Sequence, residues 1–203
     1  LINKPDVLLL DEPLGALDAQ ISLLGQRLGA VESRPAVASG NHVRVAVGGA
    51  EDGSDGAGVG EATDAVAIGS NATANADNGV AIGGNAYAHG PNDTAIGGNA
   101  RVYADGSTAV GANATISAAA TNAVAMGEGA SVSAASGTAL GQGAAVTAEG
   151  AVALGQGAVA NRANTVSVGT AGNERQVVHV AHGTAATDAV TLSQLQGVLA
   201  TAN

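Results

Sequence analysis

The sequence predicts an all-β fold, a parallel solenoid of repeats about 14 residues long, and three observations support this prediction. First, an apolar residue followed by glycine recurs with spacings of 14 or 16 residues, at Gly69, Gly83, Gly97, Gly111, Gly127, Gly141, Gly155 and Gly169. Second, a β-branched residue stands three positions before each of these glycines. Third, the 46% apolar content is almost wholly Ala, Val, Ile and Leu, which suits a thin core rather than a wide globular one.

The segment before each glycine predicts the first strand of the repeat. Its bulky residues flank a small one, which is alanine in seven copies and Ser167 in the eighth. Since side chains alternate faces along a strand, one face is bulky and the other small, and a strand apolar on both faces is buried on both sides. Nothing else in the chain is available to cover the outer face, so we expect a cyclic homo-oligomer whose copy number the pattern leaves open. The predicted interface residues on the small face are Ala67, Ala81, Ala95, Ala109, Ala125, Ala139 and Ala153.

The segment after each glycine predicts a second strand with one buried and one wet face. In the first copy, Ala72 and Ala74 are the buried residues, while Thr73 and Asn75 point outward. The glycine and the asparagine that often follows it favour a turn, because both residues tolerate positive φ. Stacked repeats therefore predict two parallel sheets about 10 Å apart around a narrow aliphatic core.

Both tyrosines of the chain fall in the outward positions of neighbouring repeats. Because neighbouring coils lie about 4.8 Å apart, we expect Tyr87 beside Arg101 and His89 beside Tyr103. Aromatic residues and arginine dominate interface hot spots, so these four residues are the ligand-binding candidates. The alternative interpretation is a ladder of side chains that only stabilises the surface.

The end of the chain carries a second pattern. After the last repeat come Arg175-Gln176-Val177, then Gly183, Thr187-Asp188-Ala189-Val190 and Gln194-Leu195. Repeats of the form Asn-x-Val-Ala-Ile-Gly followed by this series resemble the head and neck of trimeric autotransporter adhesins of the YadA-like type. The resemblance implies a left-handed parallel β-roll homotrimer, with a head over residues 41–172 and a neck over 173–191 that includes Arg175, Gln176 and Asp188.

The resemblance also implies a location and a function. It implies a bacterial adhesin at the cell surface, anchored to the outer membrane through a C-terminal region beyond this chain, and binding to a host extracellular matrix protein or cell-surface receptor. Leu192, Leu195 and Leu199 fall at coiled-coil spacing, so we expect residues 192–203 to begin a stalk. A segment of a surface fibre with a purely structural role is the alternative.

The first forty residues admit two interpretations. Leu14, Leu17, Ile21, Leu24, Leu28 and Val31 form a heptad seam that Pro35 would end, so residues 1–40 are predicted to be a helical or coiled-coil leader, native or left from a fusion. Residues 7–18 also resemble the Walker B and D-loop stretch of ABC-type ATPases, where Asp11 and Glu12 would serve a magnesium ion and the attacking water. No phosphate-binding loop accompanies this stretch, which makes an ATPase fragment a remote alternative.

Residues 48–64 are rich in glycine and acids. Neither the EF-hand spacing nor the glycine-rich repetition of calcium β-rolls is met, so the segment is interpreted as an acidic loop that interrupts a first, degenerate repeat around residues 43–49.

Charge and composition exclude several other functions. A net charge of −10 with only seven Lys and Arg offers no basic surface for nucleic acid, and we expect no membrane contact by this part of the protein. There is no Cys, and His42, His89, His179 and His182 show no metal-ligand spacing. Ser, His and Asp form no nucleophile motif. We therefore expect no catalytic residues, no cofactor and no metal, and a protein that is not an enzyme.

Overall fold

A computed structural model describes residues 56–201 of the chain. The predicted leader over residues 1–40, its Walker B-like stretch and the first part of the predicted head, residues 41–55, lie outside the described residues, as do the last two residues of the predicted stalk.

Short strands alternate along the described chain between two parallel sheets, which confirms the predicted solenoid. Sheet 1 contains β1 (Val66–Ile68), β3 (Val80–Ile82), β5 (Thr94–Ile96), β7 (Thr108–Val110), β9 (Val124–Met126), β11 (Thr138–Leu140), β13 (Val152–Leu154) and β15 (Val166–Ser167). Sheet 2 contains β2 (Thr73–Ala74), β4 (Tyr87–Ala88), β6 (Arg101–Val102), β8 (Thr115–Ile116), β10 (Ser131–Val132), β12 (Ala145–Val146) and β14 (Val159–Ala160). Each strand pairs with the equivalent strand of the next coil, as Val66 does with Val80.

The core between the sheets is thin because alanine fills most of it. The middle residue of each three-residue strand in sheet 1 is an alanine that is at most 3% exposed. Sheet 2 contributes a column of fully buried alanines that begins at Ala72, and a second column that widens to Val102, Ile116, Val132 and Val146 near the middle of the solenoid. Small side chains on both sheets allow the sheets to approach closely, which explains how a chain without Phe or Trp fills its interior.

The glycine after each sheet 1 strand makes the corner of the coil. Gly97 has φ 129°, a conformation that L side chains rarely adopt, and a Cβ there would meet the backbone carbon and oxygen of Gly111 at 2.6 Å. The other corner glycines from Gly69 to Gly141 are stacked in the same way, each against the next. Glycine therefore recurs every coil because the coils approach too closely for any side chain.

The single 16-residue spacing, between Gly111 and Gly127, is accommodated in one turn. Thr108 still pairs with Val124 and Thr115 with Ser131, so both sheets keep their register across the insertion. The two extra residues lie in the turn between β8 and β9, which a hydrogen bond from Ala120 N to Ser117 O closes at 2.9 Å.

Residues 56–64 differ from the prediction. Gly58 forms a parallel bridge with Thr73, and Val59 and Ala62 are buried. Since these residues pair with sheet 2 and cover its end, they form part of a coil rather than the acidic loop to which the sequence analysis assigned them. The rest of the predicted loop, residues 48–55, lies outside the described residues.

Beyond β15 the described chain has little regular structure until helix α1 (Leu192–Thr201). The Gln194 side chain caps the start of this helix, because its Oε1 atom accepts from Thr191 N at 3.1 Å, while Gln194 N donates to the backbone carbonyl of Thr191. Leu192, Leu195 and Leu199 are each more than half exposed in the single chain, at the spacing of a coiled-coil seam.

Candidate functional site

The outer face of sheet 2 is the surface that varies from coil to coil. Its outward positions hold mostly Thr, Ser, Asn and Ala, and aromatic residues occur on two neighbouring coils. Tyr87 in β4 pairs directly with Arg101 in β6, as the sequence predicts. His89 and Tyr103 follow two residues later and are exposed. The four predicted ligand-binding candidates therefore lie together, and we call them the tyrosine–arginine patch.

Rings and hydroxyls make contacts across this patch. The ring centroids of Tyr87 and Tyr103 lie 5.5 Å apart with the planes tilted by 49°, and those of Tyr87 and His89 lie 5.9 Å apart. The Tyr87 hydroxyl is 2.9 Å from His89 Nδ1 and accepts a hydrogen bond from Asn75 Nδ2 at 3.2 Å. These contacts hold the rings against one another, so the patch presents a preorganised surface rather than separate mobile side chains.

Arg101 is held by an amide. Its Nε and Nη2 atoms both donate to Asn99 Oδ1, at 3.0 and 2.7 Å, and Nη1 lies 3.5 Å from the Tyr103 hydroxyl. Asn99 Nδ2 in turn donates to Asn113 Oδ1 at 2.8 Å. From the sequence, Asn75 is predicted to be an outward polar residue and Asn99 a turn residue, and neither is predicted to belong to the site. The signal for Asn99 was its position two residues before Arg101, on the same side of the chain.

A buried polar pair lies beneath the turn that follows His89. Asp93 and Ser107 are fully buried, in a column that holds alanine or glycine in most other coils. The Asp93 carboxylate accepts from Gly90 N at 2.7 Å and from Ser107 N at 3.2 Å. Burial raises the pKa of Asp93, the charge of Asp105 raises it further, and the two backbone hydrogen bonds oppose this rise. This pair fixes the corner next to the patch and is not among the residues predicted from the sequence.

The predicted interface alanines do not lie on an outer face. All seven, from Ala67 to Ala153, are enclosed between the two sheets of their own chain. A side chain enclosed by its own chain cannot contact a second copy, so this assignment is wrong for the single-chain geometry. The bulky side chains on either side of them point outward instead. Met126 is 42% and Leu154 46% exposed, and the equivalent residues of most other coils are partly exposed.

The neck candidates differ in what they contact. Arg175 donates from Nη1 to Val168 O at 2.7 Å and from Nη2 to Gln156 O at 2.6 Å, which ties the chain after β15 to the last coils. Asp188 Oδ2 accepts from Thr184 N and Ala185 N, each at 2.9 Å, and these hydrogen bonds lower the pKa of Asp188. Gln176 is exposed.

Residues 56–201 contain no group of three or more His, Asp or Glu side chains that could hold a metal ion. His182 Nε2 lies 3.1 Å from Ser193 Oγ. Over the same range, none of the helical structure has the length and apolar character needed to cross a bilayer.

Comparisons with known proteins identify the type of repeat. The sequence model of a family described as YadA head domain repeat (2 copies) matches residues 61–86, 88–114, 118–144 and 147–171. The crystal structure of the collagen-binding domain of the Yersinia adhesin YadA is similar to this chain, with 26% sequence identity and a TM-score of 0.62. The match covers 79% of this chain and 99% of that one. None of the curated proteins compared with the chain matches it.

Proposed function

Since the chain belongs to the YadA head domain repeat family, we propose that this adhesin head attaches bacteria to host extracellular matrix or host cells. The observation that carries the proposal is the likeness to a collagen-binding domain over 99% of that domain. The proposed location is the bacterial cell surface, with an outer-membrane anchor beyond this chain, and the preferred ligand is a matrix protein of the collagen type.

The tyrosine–arginine patch is the proposed point of contact. It combines two tyrosine rings, a histidine ring and a guanidinium on the outward side of sheet 2, where the neighbouring coils carry small polar residues. Tyrosine and arginine contribute a large share of the binding energy at protein interfaces because they bury large areas and also donate hydrogen bonds. A flat sheet that projects one such cluster suits an extended ligand.

We further propose that the head is a homotrimer that assembles through the bulky outer face of sheet 1. That face carries Val, Ile, Leu, Met and Thr side chains along eight strands, and nothing within residues 56–201 covers it. An apolar strip of this length is costly in water, and copies related by a symmetry axis cover it. Residues 173–191 then form the neck, and the exposed leucines of α1 begin the coiled-coil stalk.

Sedimentation equilibrium tests the assembly. We expect the mass of a trimer at micromolar concentration, since the uncovered face would not remain in water. A stable, folded monomer under these conditions would contradict the proposed trimer, independently of any result on adhesion.

Three copies of one patch give the head avidity. When one contact forms, the remaining two patches are held near the same surface, so weak single contacts add up to firm attachment. Adhesion should therefore fall steeply when the patch is weakened, because the loss is repeated in every subunit.

Binding of the full chain to immobilised collagen, fibronectin and laminin tests adhesion directly. We expect saturable binding to at least one of them, collagen first, and none to an albumin-coated control. A folded protein that binds none of the three proteins and does not bind host cells would favour the structural alternative, a fibre segment that only projects another domain.

A further inference from the structure

Within residues 56–201, no carboxylate is paired with Arg101. Among residues 56–201 its guanidinium hydrogen-bonds only Asn99 and Tyr103, and both partners are neutral. The chain nevertheless has an excess of acids, with a net charge of −10. Many carboxylates are available on this acidic protein, but Arg101 is paired with an amide instead. Its positive charge is therefore not neutralised and can attract an external partner.

The hydrogen bonds to Asn99 also orient the guanidinium. Arginine has five N–H donors in a planar fork, and Asn99 Oδ1 occupies the edge formed by Nε and Nη2. The other edge, formed by Nη1 and the second hydrogen of Nη2, has no partner except the distant Tyr103 hydroxyl at 3.5 Å. Two parallel donors at this free edge match the two oxygens of a carboxylate.

We infer that the tyrosine–arginine patch binds an acidic side chain, Asp or Glu, next to an imino acid in an extended matrix polypeptide. This inference rests on the proposed function and adds the chemistry that the patch selects. The Arg101 fork binds the carboxylate, and the tilted rings of Tyr87 and Tyr103 receive the proline-type ring. Aromatic surfaces are the usual partners of polyproline II segments.

The spacing of the coils suits this arrangement. Tyr87 and Arg101 are register partners on neighbouring strands, which lie about 4.8 Å apart. A polyproline II chain rises about 3.1 Å per residue. A carboxylate one or two residues from an imino acid therefore reaches Arg101 while the ring lies on the tyrosines, if the peptide runs along the stack of coils.

The sparse positive charge of this protein favours a ligand with a single carboxylate over a polyanion. The other arginines of the described chain are Arg162, at the corner after β14, and Arg175, which is bound to backbone carbonyls. A sulfated polysaccharide needs several cations in a row, and it would be repelled by a net charge of −10. A single carboxylate in a largely neutral chain suits a site with one guanidinium.

A double-mutant cycle between protein and peptide tests the inference. Two triple-helical collagen-like peptides are compared, identical except for Glu or Gln beside the same proline, and each is titrated with the parent chain and with Arg101→Gln. For the parent we expect the Glu peptide to bind roughly five- to tenfold more tightly than the Gln peptide at low salt. Arg101→Gln should bind both peptides equally, and the preference should shrink as salt is raised.

Two further variants keep the test specific. Arg101→Lys keeps the charge but loses the fork, so it should retain only part of the preference for Glu. Arg162→Gln removes an equal charge at a distant corner and should leave the preference unchanged. Melting temperatures of all variants must match the parent for the comparison to hold.

The outcomes separate this inference from the proposed function. If the parent binds whole collagen but does not distinguish the Glu peptide from the Gln peptide, the carboxylate site is wrong and adhesion stands. If it binds no matrix protein, the proposed function fails first. Binding of heparin that depends on Arg101 would also overturn the inference, since the site would then select a polyanion.

Discussion

The guanidinium of Arg175 lies against Gly155, in the place where each earlier corner glycine meets the next coil. A Cβ on Gly155 would come within 3.2 Å of the Arg175 Cζ atom, whereas a Cβ on Gly141 would meet the backbone of Gly155 at 2.5 Å. The arginine thus continues the glycine column with a side chain after the repeats end. Its hydrogen bonds to Val168 O and Gln156 O resemble those that a further coil would supply.

Replacing this side chain should release the neck without unfolding the solenoid. Arg175→Ala removes both hydrogen bonds, each made by a charged donor, and we expect local stability to fall by about 1–2 kcal/mol. Because proteolysis of native proteins follows local opening, thermolysin should cleave within residues 173–191 roughly ten times faster. Arg162→Ala is the control, since its guanidinium makes no described hydrogen bond. Equal cleavage of the two variants would show that Arg175 does not hold the neck.

Substitution by alanine should destabilise the fold much more at a corner glycine than at the glycine that follows it. Gly97→Ala places a Cβ 2.6 Å from the backbone of Gly111 at φ 129°, and we expect it to cost about 3 kcal/mol of stability. Gly98→Ala meets nothing within 4 Å and should change stability by less than about 1 kcal/mol. Urea denaturation of both variants measures this difference, and similar midpoints would contradict the close stacking of the coils.

Single cysteine substitutions can show which face of sheet 1 contacts other copies. The chain has no cysteine of its own, so each introduced thiol reports on one position. In the assembled head, Ile82→Cys should be linked to other copies by a short bifunctional thiol reagent. Ala81→Cys should neither cross-link nor react until the protein is denatured, since Ala81 is fully buried. Thr115→Cys, on the outer face of sheet 2, should react with a monofunctional label but form no cross-links. Cross-linking through position 81 would restore the original assignment of the interface.

The two tyrosines should matter for binding far more than for stability. Changing Tyr87 and Tyr103 to Thr, the residue that Thr73 places beside Tyr87, removes both ring contacts and the hydrogen bonds of the two hydroxyls. We expect a loss of about 1 kcal/mol of stability or less per site, against about 2 kcal/mol or more of binding energy. Melting curves and adhesion to immobilised collagen are compared with those of Ser117→Thr. Unchanged adhesion would identify the tyrosines as a surface ladder.

Asp93 should make stability depend on pH in the direction opposite to most carboxylates. Its pKa in the folded chain is raised from 3.8, mainly by burial, so the folded state binds more protons than the unfolded state above that pH. Stability from this group is therefore present below about pH 4 and falls as pH rises from there through the raised pKa. The difference in melting temperature between the parent and Asp93→Asn measures this effect. If the melting temperature of the parent instead rose relative to that of Asp93→Asn with increasing pH, the predicted pH dependence would be wrong.

The sequence predicted the solenoid because every coil imposes the same constraints. Recurring glycines mark corners, β-branched residues mark strands, and polar residues identify the outer face of sheet 2. For sheet 1 both faces are apolar, so alternation alone does not say which face is inside. The decisive quantity is volume: Ala72 and Ala74 already narrow the space between the sheets, which leaves room for Ala67 but not for Ile68. The hydrogen bond from Arg101 to Asn99 depends on side-chain conformation across a turn, which periodicity does not encode.

Because each coil pairs only with its neighbours, the number of coils sets how far the tyrosine–arginine patch stands from the neck. Four coil steps separate β6 from β14, a distance of about 19 Å along the stack. An in-frame duplication or deletion of one repeat would move the patch by about 4.8 Å while every corner keeps its glycine partner. Gain or loss of repeats during evolution can therefore change the distance between the patch and the neck in steps of one coil, without changing the residues that bind the ligand.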